Sequence, residues 1–181
     1  MVYLFLADGF EEIEALAPLD LLRRAGIDTV TVGIGKKMIS GAHKINVEAD
    51  ITDSELVIDK KDLQMIILPG GMPGTLNLDA SAVVHGAIDT AIDTNSYIAA
   101  ICAAPSILGA RGLLCGKEAI SYPGFEEKLV GAKISDKRVA VDGKIITAAG
   151  MGVATEFGLT LVALLCGEEK ALSLCEAVIA D

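Results

Sequence analysis

Tryptophan is missing from the sequence, and aromatic residues make up only 4% of its 181 positions. Histidine is scarce, with His43 and His85 alone, and the four cysteines show no C-x-x-C spacing, so a zinc site would find few ligands. Basic residues are few as well: 15 lysines and arginines face 25 acidic residues, giving a formal net charge of −10 at pH 7. Because that charge repels phosphate backbones, the composition argues against a nucleic-acid binder.

Long hydrophobic runs are also missing. The N-terminal stretch MVYLFLADGFEE lacks the basic region of a signal peptide, and FGLTLVALLCG is far shorter than the roughly 20 residues that span a bilayer. The chain is nevertheless 52% hydrophobic and 22% charged, which is typical of a globular α/β domain with an aliphatic core. We therefore expect a single domain over residues 1–181, no membrane association and a cytoplasmic location.

Apolar runs of strand length alternate with helix-like segments along the chain. The strand-like runs are 2–7, 28–34, 64–69 and 97–102, and the helix-like segments are 11–26, 81–95, 155–167 and 168–181. Strands that are apolar on both faces and alternate with helices predict a mostly parallel sheet covered on both sides. Hairpins are predicted at 38–48 and around Asp142-Gly143. The pattern predicts a flavodoxin-like, three-layer α/β/α sandwich.

Three unusual segments lie where predicted strands end. ADGFEEIE follows the first strand, LPGGMPG ends another, and Cys102 closes a third. In LPGGMPG, Gly70 and Gly71 would leave backbone N–H groups free to face an anion or oxyanion, although a plain turn has the same appearance. Because ligands of such sheets bind outside the carboxyl ends of the strands, we expect a functional site at this edge.

Cys102 stands where the run YIAAIC gives way to AAPSIL. A nucleophile elbow is a sharp strand-to-helix turn that needs small residues two positions before and after the nucleophile, and Ala100 and Ala104 meet this need. Pro105 fits the first turn of the helix that would follow. The positive end of that helix would stabilise a thiolate, so we predict a Cys102 pKa below that of free cysteine. The pattern also suits a buried structural cysteine.

Acidic residues follow the first predicted strand. Glu11 and Glu12 suit the N-terminal turn of a helix, and this turn explains both. Glu14 differs, because Pro18 lacks the N–H that would bond its carbonyl, so we expect a local distortion with Glu14 on the inner side. There a carboxyl kept protonated by burial could donate a hydrogen bond to the thiolate. The alternative is an ordinary solvated helix glutamate.

The remaining histidines do not complete a cysteine hydrolase. No histidine follows His85, and the position directly after the cysteine is Ala103. A cysteine–histidine pair with its histidine downstream of the nucleophile is therefore not available, which weighs against proteolysis.

The segments ADGFEEIEALAPLDLLRRAG, ILPGGMPG, YIAAICAAPSIL, SYPGFEEKLVG and ITAAGMGVATEFGLTLV occur in order through nearly the whole chain. In this order they resemble the ThiJ/PfpI superfamily, in the branch of DJ-1, the parkinsonism-associated deglycase, and the bacterial protein YajL. The resemblance implies a flavodoxin-like fold and a homodimer. It also implies that Cys102 is a redox-sensitive cysteine, that Glu14 hydrogen-bonds it, and that the N–H groups of Gly71 and Ala103 hold an oxygen on the sulfur or an oxyanion.

The chain departs from the resemblance at two positions. Some members carry a histidine in the segment that here reads SYPGFE, where this chain has Tyr122, whose hydroxyl could bind substrate or whose ring could fill the crevice wall. The protease branch has a histidine where this chain has Ala103. His43 aligns roughly with a basic position that the family places near the dimer interface. It could supply positive charge to Cys102 of the partner subunit at acid pH, or be an exposed hairpin histidine.

Three functions are compatible with these residues. The first is cofactor-independent conversion of reactive carbonyls such as methylglyoxal, or deglycation of early glycation adducts, through Cys102 and Glu14. The second is a redox sensor or stress chaperone that acts through Cys102 oxidation. The third, a peptidase or amidase, ranks last. The sequence has no G-x-G-x-x-G or G-K-[ST] motif, which agrees with an activity that needs neither nucleotide nor metal.

Overall fold

The computed structural model describes residues 1–180, and these form an α/β fold with a mostly parallel central sheet flanked by helices, which confirms the predicted class. The strands are β1 (Val2–Leu6), β2 (Thr29–Gly33), β3 (Met38–Ser40), β4 (Asn46–Glu48), β5 (Ile51–Thr52), β6 (Met65–Leu68), β7 (Tyr97–Ile101), β8 (Glu118–Ala119), β9 (Lys133–Ile134), β10 (Val139–Asp142) and β11 (Ile145–Ala148). The helices are α1 (Glu12–Arg24), α2 (Gly74–Asp79), α3 (Ala82–Asp93), α4 (Pro105–Ala110), α5 (Ala154–Cys166) and α6 (Glu168–Val178). Within residues 1–180, no helix is long and apolar enough to cross a membrane.

The central sheet has the strand order β10-β11-β7-β6-β1-β2-β5. All neighbours are parallel except β10 and β11, which form the predicted hairpin around Asp142-Gly143. Taken in chain order, the five longer parallel strands follow the flavodoxin-like order 2-1-3-4-5. The second predicted hairpin is also present, as the antiparallel pair β3 and β4. The short elements α2, β5, β8 and β9 have no clear signal in the sequence, and position 181 of the predicted C-terminal helix lies outside the described residues.

Side chains of β1 enter two separate cores, one on each face of the sheet. Leu4 packs in a cluster that contains Phe157 and Leu161 of α5, whereas its neighbour Phe5 packs in a cluster that contains Ile88 of α3. All five residues of β1 are buried, because successive side chains of a strand point to opposite faces and both faces of this sheet are covered by a core. This burial explains the continuous apolar runs and places the carboxyl end of β1 in the middle of one edge of the sheet.

Helix α1 lies close against α5. A Cβ at Gly158 would lie 2.9 Å from the Cα of Pro18, so the two backbones approach as closely as glycine allows. The helix runs through Pro18 without a break, and the local distortion expected at this proline stays a prediction. The direction of Glu14 is set by the packing of α1, which brings its first turn to the edge of the sheet where β6 and β7 end.

Candidate active site

Cys102 lies on a strand-to-helix elbow. It follows β7 directly and has φ of +64°, a left-handed conformation that is uncommon for residues other than glycine. Ala100 and Ala104 are completely buried on either side, as the elbow requires, and Pro105 begins α4. The Cys102 N–H donates to the carbonyl of Ala148 at 2.9 Å, which ties the turn to β11. This geometry leaves the thiol partly exposed at the rim of the sheet.

Glu14 reaches the same place from the first turn of α1. Its side chain is only 1% exposed and is hydrogen-bonded to the Cys102 sulfur. Its Oε2 accepts a hydrogen bond of 2.9 Å from the Gly70 N–H, and the backbone of Met151 lies near enough to lower the pKa of the same carboxyl group. Four separate segments of the chain therefore meet around one carboxyl group and one sulfur.

Burial controls the protonation of this pair. It raises the pKa of Glu14 to about 7, more than the hydrogen bonds from Cys102 and Gly70 lower it. Burial also raises the pKa of the Cys102 thiol, and an ionised Glu14 raises it further, to about 12. The sequence-based prediction of a lowered Cys102 pKa is therefore wrong, because desolvation and the neighbouring carboxylate outweigh the six-residue helix α4 and the nearby N–H groups.

The two groups titrate together because they share a hydrogen bond. Below pH of about 7 the pair carries two protons and is neutral. Above that pH one proton remains between the Glu14 carboxyl and the Cys102 sulfur. The reactive form is the one with the proton on oxygen and the negative charge on sulfur.

Two backbone N–H groups lie near the sulfur. They belong to Gly71 and Ala103, and both lower the pKa of Cys102 against the larger effects of burial and Glu14. Gly71 has φ of +90°, which glycine adopts without strain. The expectation of free donors does not hold for Gly70, because its N–H is used by Glu14. A Cβ at Gly70 would lie 2.5 Å from Glu14 Oε2 and 2.7 Å from Cys102 Cβ, so the site also needs glycine there.

Tyr122 forms part of the rim. Its backbone N–H donates to the carbonyl of Cys102 at 2.8 Å, and its ring lies beside Gly150, where an added Cβ would come within 3.2 Å of Cδ2. The side chain is 52% exposed. The ring therefore lines the entrance, and the roles predicted for its hydroxyl and its ring both stay predictions.

His43 lies in the loop between β3 and β4 and is exposed, at the other side of the first turn of α1. Its Nδ1 is 2.9 Å from Oε2 of Glu12 and 3.4 Å from Oε2 of Glu11. The hydrogen bond to Glu12, and then the charges of Glu11 and Glu12, raise the pKa of His43. Within one chain the imidazole thus faces these two glutamates, and an approach to Cys102 of the partner subunit stays a prediction.

Glu12 has a larger role than the sequence indicates. It is 2% exposed, and its carboxylate accepts hydrogen bonds from the N–H groups of His43 at 2.8 Å and Ile45 at 3.4 Å. Burial alone would raise the pKa of Glu12, but the His43 ring and the backbone N–H groups lower it below its ordinary value. No pattern within EEIE distinguishes Glu12 from a solvated helix acid, because its partners lie about 30 residues away in a loop.

One cluster in the described part of the chain has ligand atoms close enough for a metal ion. Glu11, Glu12 and His43 bring these atoms within 4.8 Å of one another. The oxygens of Glu12 already accept hydrogen bonds from His43 and Ile45, and the Nδ1 of His43 is directed at the same carboxylate. The contacts explain the cluster as an ion pair that holds a loop, and we assign no metal to it.

The remaining cysteines lie elsewhere. Cys115 and Cys166 are exposed and Cys175 is partly buried, and the interpretation of all three as structural cysteines stays a prediction. The apolar run around Cys166 suggests a buried position, but this residue is the last of α5 and its side chain faces outward. His85 is half-buried on α3, as expected, and contacts Asp79 and Arg111.

The fold and the site define an α/β protein with a cysteine on a strand-to-helix elbow and a buried glutamate beside it. The sequence model of the DJ-1/PfpI family matches residues 1–164. The chain belongs to this family.

Individual relatives agree with this assignment. Protein dj-1beta of Drosophila melanogaster is 34% identical over 177 residues, covering 96% of this chain and 94% of the relative. The glutathione-independent glyoxalase DJR-1.2 of Caenorhabditis elegans is 31% identical over 166 residues, covering 91% and 87%. The solved structure of Toxoplasma gondii DJ-1, in an oxidized form, superposes with a TM-score of 0.92 at 32% identity and covers 98% of this chain and 97% of that one.

Proposed function

We propose that this protein detoxifies small reactive carbonyls, converting methylglyoxal or glyoxal to the corresponding hydroxy acid with Cys102 as nucleophile. The observation that carries the proposal is the close placement of the buried Glu14 carboxyl beside Cys102, since a Cβ at Gly70 would lie 2.5 Å from Glu14 Oε2 and 2.7 Å from Cys102 Cβ. The N–H groups of Gly71 and Ala103 near the same sulfur support it. The glyoxalase activity in the name of the C. elegans relative supports the same chemistry.

The first step forms a hemithioacetal. The Cys102 thiolate attacks the aldehyde carbon, a C–S bond forms, and the carbonyl π electrons move to oxygen. The N–H groups of Gly71 and Ala103, which lie at the sulfur, are placed to donate to the developing oxyanion. Glu14 in its protonated form then gives its proton to that oxygen, which leaves a neutral hemithioacetal and a carboxylate.

The second step moves a hydrogen between the two carbons. The Glu14 carboxylate removes the proton from the carbon bonded to sulfur, giving an enediolate, and the carboxylic acid so formed returns the proton to the neighbouring carbon while the hydroxyl proton moves from the first oxygen to the second. The product is a thioester of the hydroxy acid. Water then adds to the thioester carbonyl, and the C–S bond breaks, releasing lactate from methylglyoxal and restoring the thiol. The net reaction adds one water, and no external oxidant or reductant takes part.

Turnover with methylglyoxal tests the proposal. Wild-type protein should form lactate over many turnovers, and Cys102→Ser should lose at least about 10³-fold of this activity, because the thiolate makes the covalent bond. Cys115→Ser, which changes an exposed cysteine outside the site, is the matched control and should keep full activity. Failure of the wild type to form lactate or another hydroxy acid would refute the proposal. Peptide release from casein by the wild type would instead favour the peptidase alternative.

A redox sensor is the second candidate, and one observation favours it. The solved T. gondii relative is an oxidized form. In this chain, Cys102 could be oxidised first to a sulfenate and then to a sulfinate, each step using one peroxide and releasing one water. The N–H groups of Gly71 and Ala103 would hold the new oxygens. Selective oxidation of Cys102 at low peroxide, in a protein without turnover, would support sensing over catalysis.

A homodimer is the assembly we propose, on the family assignment. Its mass in solution, measured by light scattering after size-exclusion chromatography, should be twice that of the 18.8 kDa chain. A monomeric mass would also remove the proposed approach of His43 to Cys102 of the partner subunit.

A further inference from the structure

The side chains of Glu12 and Glu14 both project from the first turn of α1, but they contact different neighbours. Glu14 meets Cys102 and Gly70, whereas Glu12 meets the loop at residues 41–45. We propose that Glu12 is a positioning residue: by holding this loop against the start of α1, it fixes the place from which Glu14 contacts the Cys102 sulfur. The inference deepens the proposed function and takes its catalytic meaning from it.

The contact between Glu12 and the loop is close and polar. Oε1 of Glu12 accepts hydrogen bonds from the backbone N–H groups of His43 at 2.8 Å and Ile45 at 3.4 Å. The Nδ1 of His43 lies 2.9 Å from Oε2 of the same carboxylate. Gly41 packs directly on the same carboxyl group, and an added Cβ there would overlap Glu12 Oε1. A buried carboxylate with several donors is expensive to displace, so the loop and the helix start move as one unit.

The loop also holds the connection that leads into α1. Ala42 N–H donates to the carbonyl of Phe10 at 2.8 Å, and Gly9 N–H donates to the carbonyl of Ser40 at 2.7 Å. The connection at residues 7–11 is therefore bonded along one side to the β3–β4 hairpin. Its position depends on where that hairpin sits, and Glu12 is the buried side chain that anchors the hairpin loop.

The other side of the connection at residues 7–11 contacts the two glycines of the candidate active site. Glu11 N–H donates to the carbonyl of Gly70 at 2.9 Å, and Gly71 lies so close that a Cβ there would overlap Glu11 N. Gly71 supplies one N–H at the sulfur, and Gly70 supplies the N–H that Glu14 accepts. A shift of the helix start would therefore displace both the Glu14 carboxyl and a donor of the proposed oxyanion site.

The experiment measures the Cys102 thiol directly and needs no substrate. Alkylation by iodoacetamide is followed against pH, with Cys102 quantified by peptide mass spectrometry so that the other cysteines do not interfere. In the wild type the reaction should rise with a midpoint of about 7, where the pair with Glu14 loses its first proton. Because this readout is independent of turnover, it can fail or succeed whether or not the carbonyl activity exists.

Two variants disrupt the contact between Glu12 and the loop, one by a change in the helix and one by a change in the loop. Glu12→Ala removes the carboxylate, and Gly41→Ala pushes it away without removing any charge; Gly41 does not have a left-handed φ, so alanine fits its backbone. In both, Glu14 should become better solvated, so its pKa should fall towards the ordinary value and the alkylation midpoint, where the pair loses its first proton, should fall by about one unit. At pH 8.5, where the pair has lost its first proton in every variant, the alkylation rate should fall about tenfold, because a lower Glu14 pKa leaves the remaining proton on sulfur more often than on oxygen.

Two matched controls complete the design. Glu12→Gln keeps an acceptor for the loop N–H groups and should keep the wild-type midpoint, and Gly86→Ala adds a methyl group on α3 where nothing lies within 4 Å. An unchanged midpoint in folded Glu12→Ala and Gly41→Ala would overturn the proposal. So would an equal shift in Glu12→Gln, because the charge and not the position would then be responsible. Loss of cooperative thermal unfolding in both alanine variants would also overturn it, since the contact would then be only structural.

Discussion

Glu12 and Glu14 are two residues apart on one helix and are both almost completely buried, yet the pKa of Glu12 lies below its ordinary value and that of Glu14 is raised to about 7. The Glu12 side chain faces an exposed loop that provides two N–H donors and the imidazole of His43. The Glu14 side chain faces backbone N–H groups, a thiol and the negative charge of Glu11. Burial acts on both carboxyl groups, and their neighbours decide which one keeps its proton.

The difference separates anchoring from chemistry. An ionised carboxylate with a full set of donors holds its neighbours in place and has little tendency to take or give a proton at neutral pH. A carboxyl group with a pKa of about 7 is suited to proton transfer at that pH, because both of its forms are well populated. In the proposed function, one turn of helix thus provides a fixed anchor on one side and a proton donor and acceptor on the other.

The largest expected effect comes from exchanging the proton-transfer group for an amide. Glu14→Gln should lower methylglyoxal turnover by about 10²- to 10³-fold, because an amide cannot take and return the substrate proton. Glu12→Gln should change turnover by less than about threefold, since the amide still accepts from the loop. Initial rates of lactate formation at pH 7.5 check both. Equal losses in the two variants would mean that the glutamates do not differ in role.

The second effect concerns stability and its dependence on pH. Glu14 has a pKa of 4.5 in the unfolded chain and of about 7 in the native state. Between these pH values the native state binds more protons than the unfolded state, so the stability of the wild type falls as pH rises. The Glu14→Gln variant has no titrating group at this position, so its stability does not fall for this reason. Relative to the wild type, its free energy of unfolding should rise by about 3 kcal/mol from pH 4 to pH 8. Urea titrations at the two pH values measure this difference, and parallel pH curves would contradict it.

A methyl group at Gly70 should disturb the Glu14 side more modestly. Gly70→Ala places a Cβ 2.5 Å from Glu14 Oε2 and 2.7 Å from Cys102 Cβ, so the carboxyl group and the thiol must separate. Overpacking of this kind costs about 1–3 kcal/mol. Thermal unfolding should show a lower Tm than for the wild type, whereas Gly86→Ala, an open helix position, should unfold at or above the wild-type Tm. A wild-type Tm for Gly70→Ala would show that the site is more open than the distances indicate.

The smallest effect is expected on the Glu12 side. The raised pKa of His43 means that its ion pair with Glu12 stabilises the fold at pH values below the ordinary histidine pKa and is lost as pH rises through the raised one. His43→Ala should therefore lower Tm slightly at pH 5.5 and leave it unchanged at pH 9. Because the imidazole is exposed, the difference should also shrink in high salt. A Tm difference that persists at pH 9 would assign the effect to packing.

The sequence predicts the fold class and the elbow because both depend on local patterns. Buried runs such as 2–7 and 64–69 can be satisfied only inside a sheet covered on two faces, and Ala100 and Ala104 mark a turn where larger side chains would collide. It also predicts a buried Glu14 beside Cys102, for which the reason given is a distortion at Pro18. The packing of α1 against α5 at Gly158 directs Glu14, and that contact joins residues about 140 positions apart.

By itself the sequence determined the alternation of strands and helices, the position of the cysteine at a strand end, and its membership in a known family. Only the tertiary structure decided the protonation of the site, because the pKa of a group depends on the water it loses and on the charges around it. Those neighbours come from distant segments: Glu14 and Gly70 meet Cys102, whereas His43 and Ile45 meet Glu12. A thiol that local pattern marks as acidic therefore has a raised pKa in the folded chain, and in the proposed mechanism its reactivity depends on sharing a proton with Glu14.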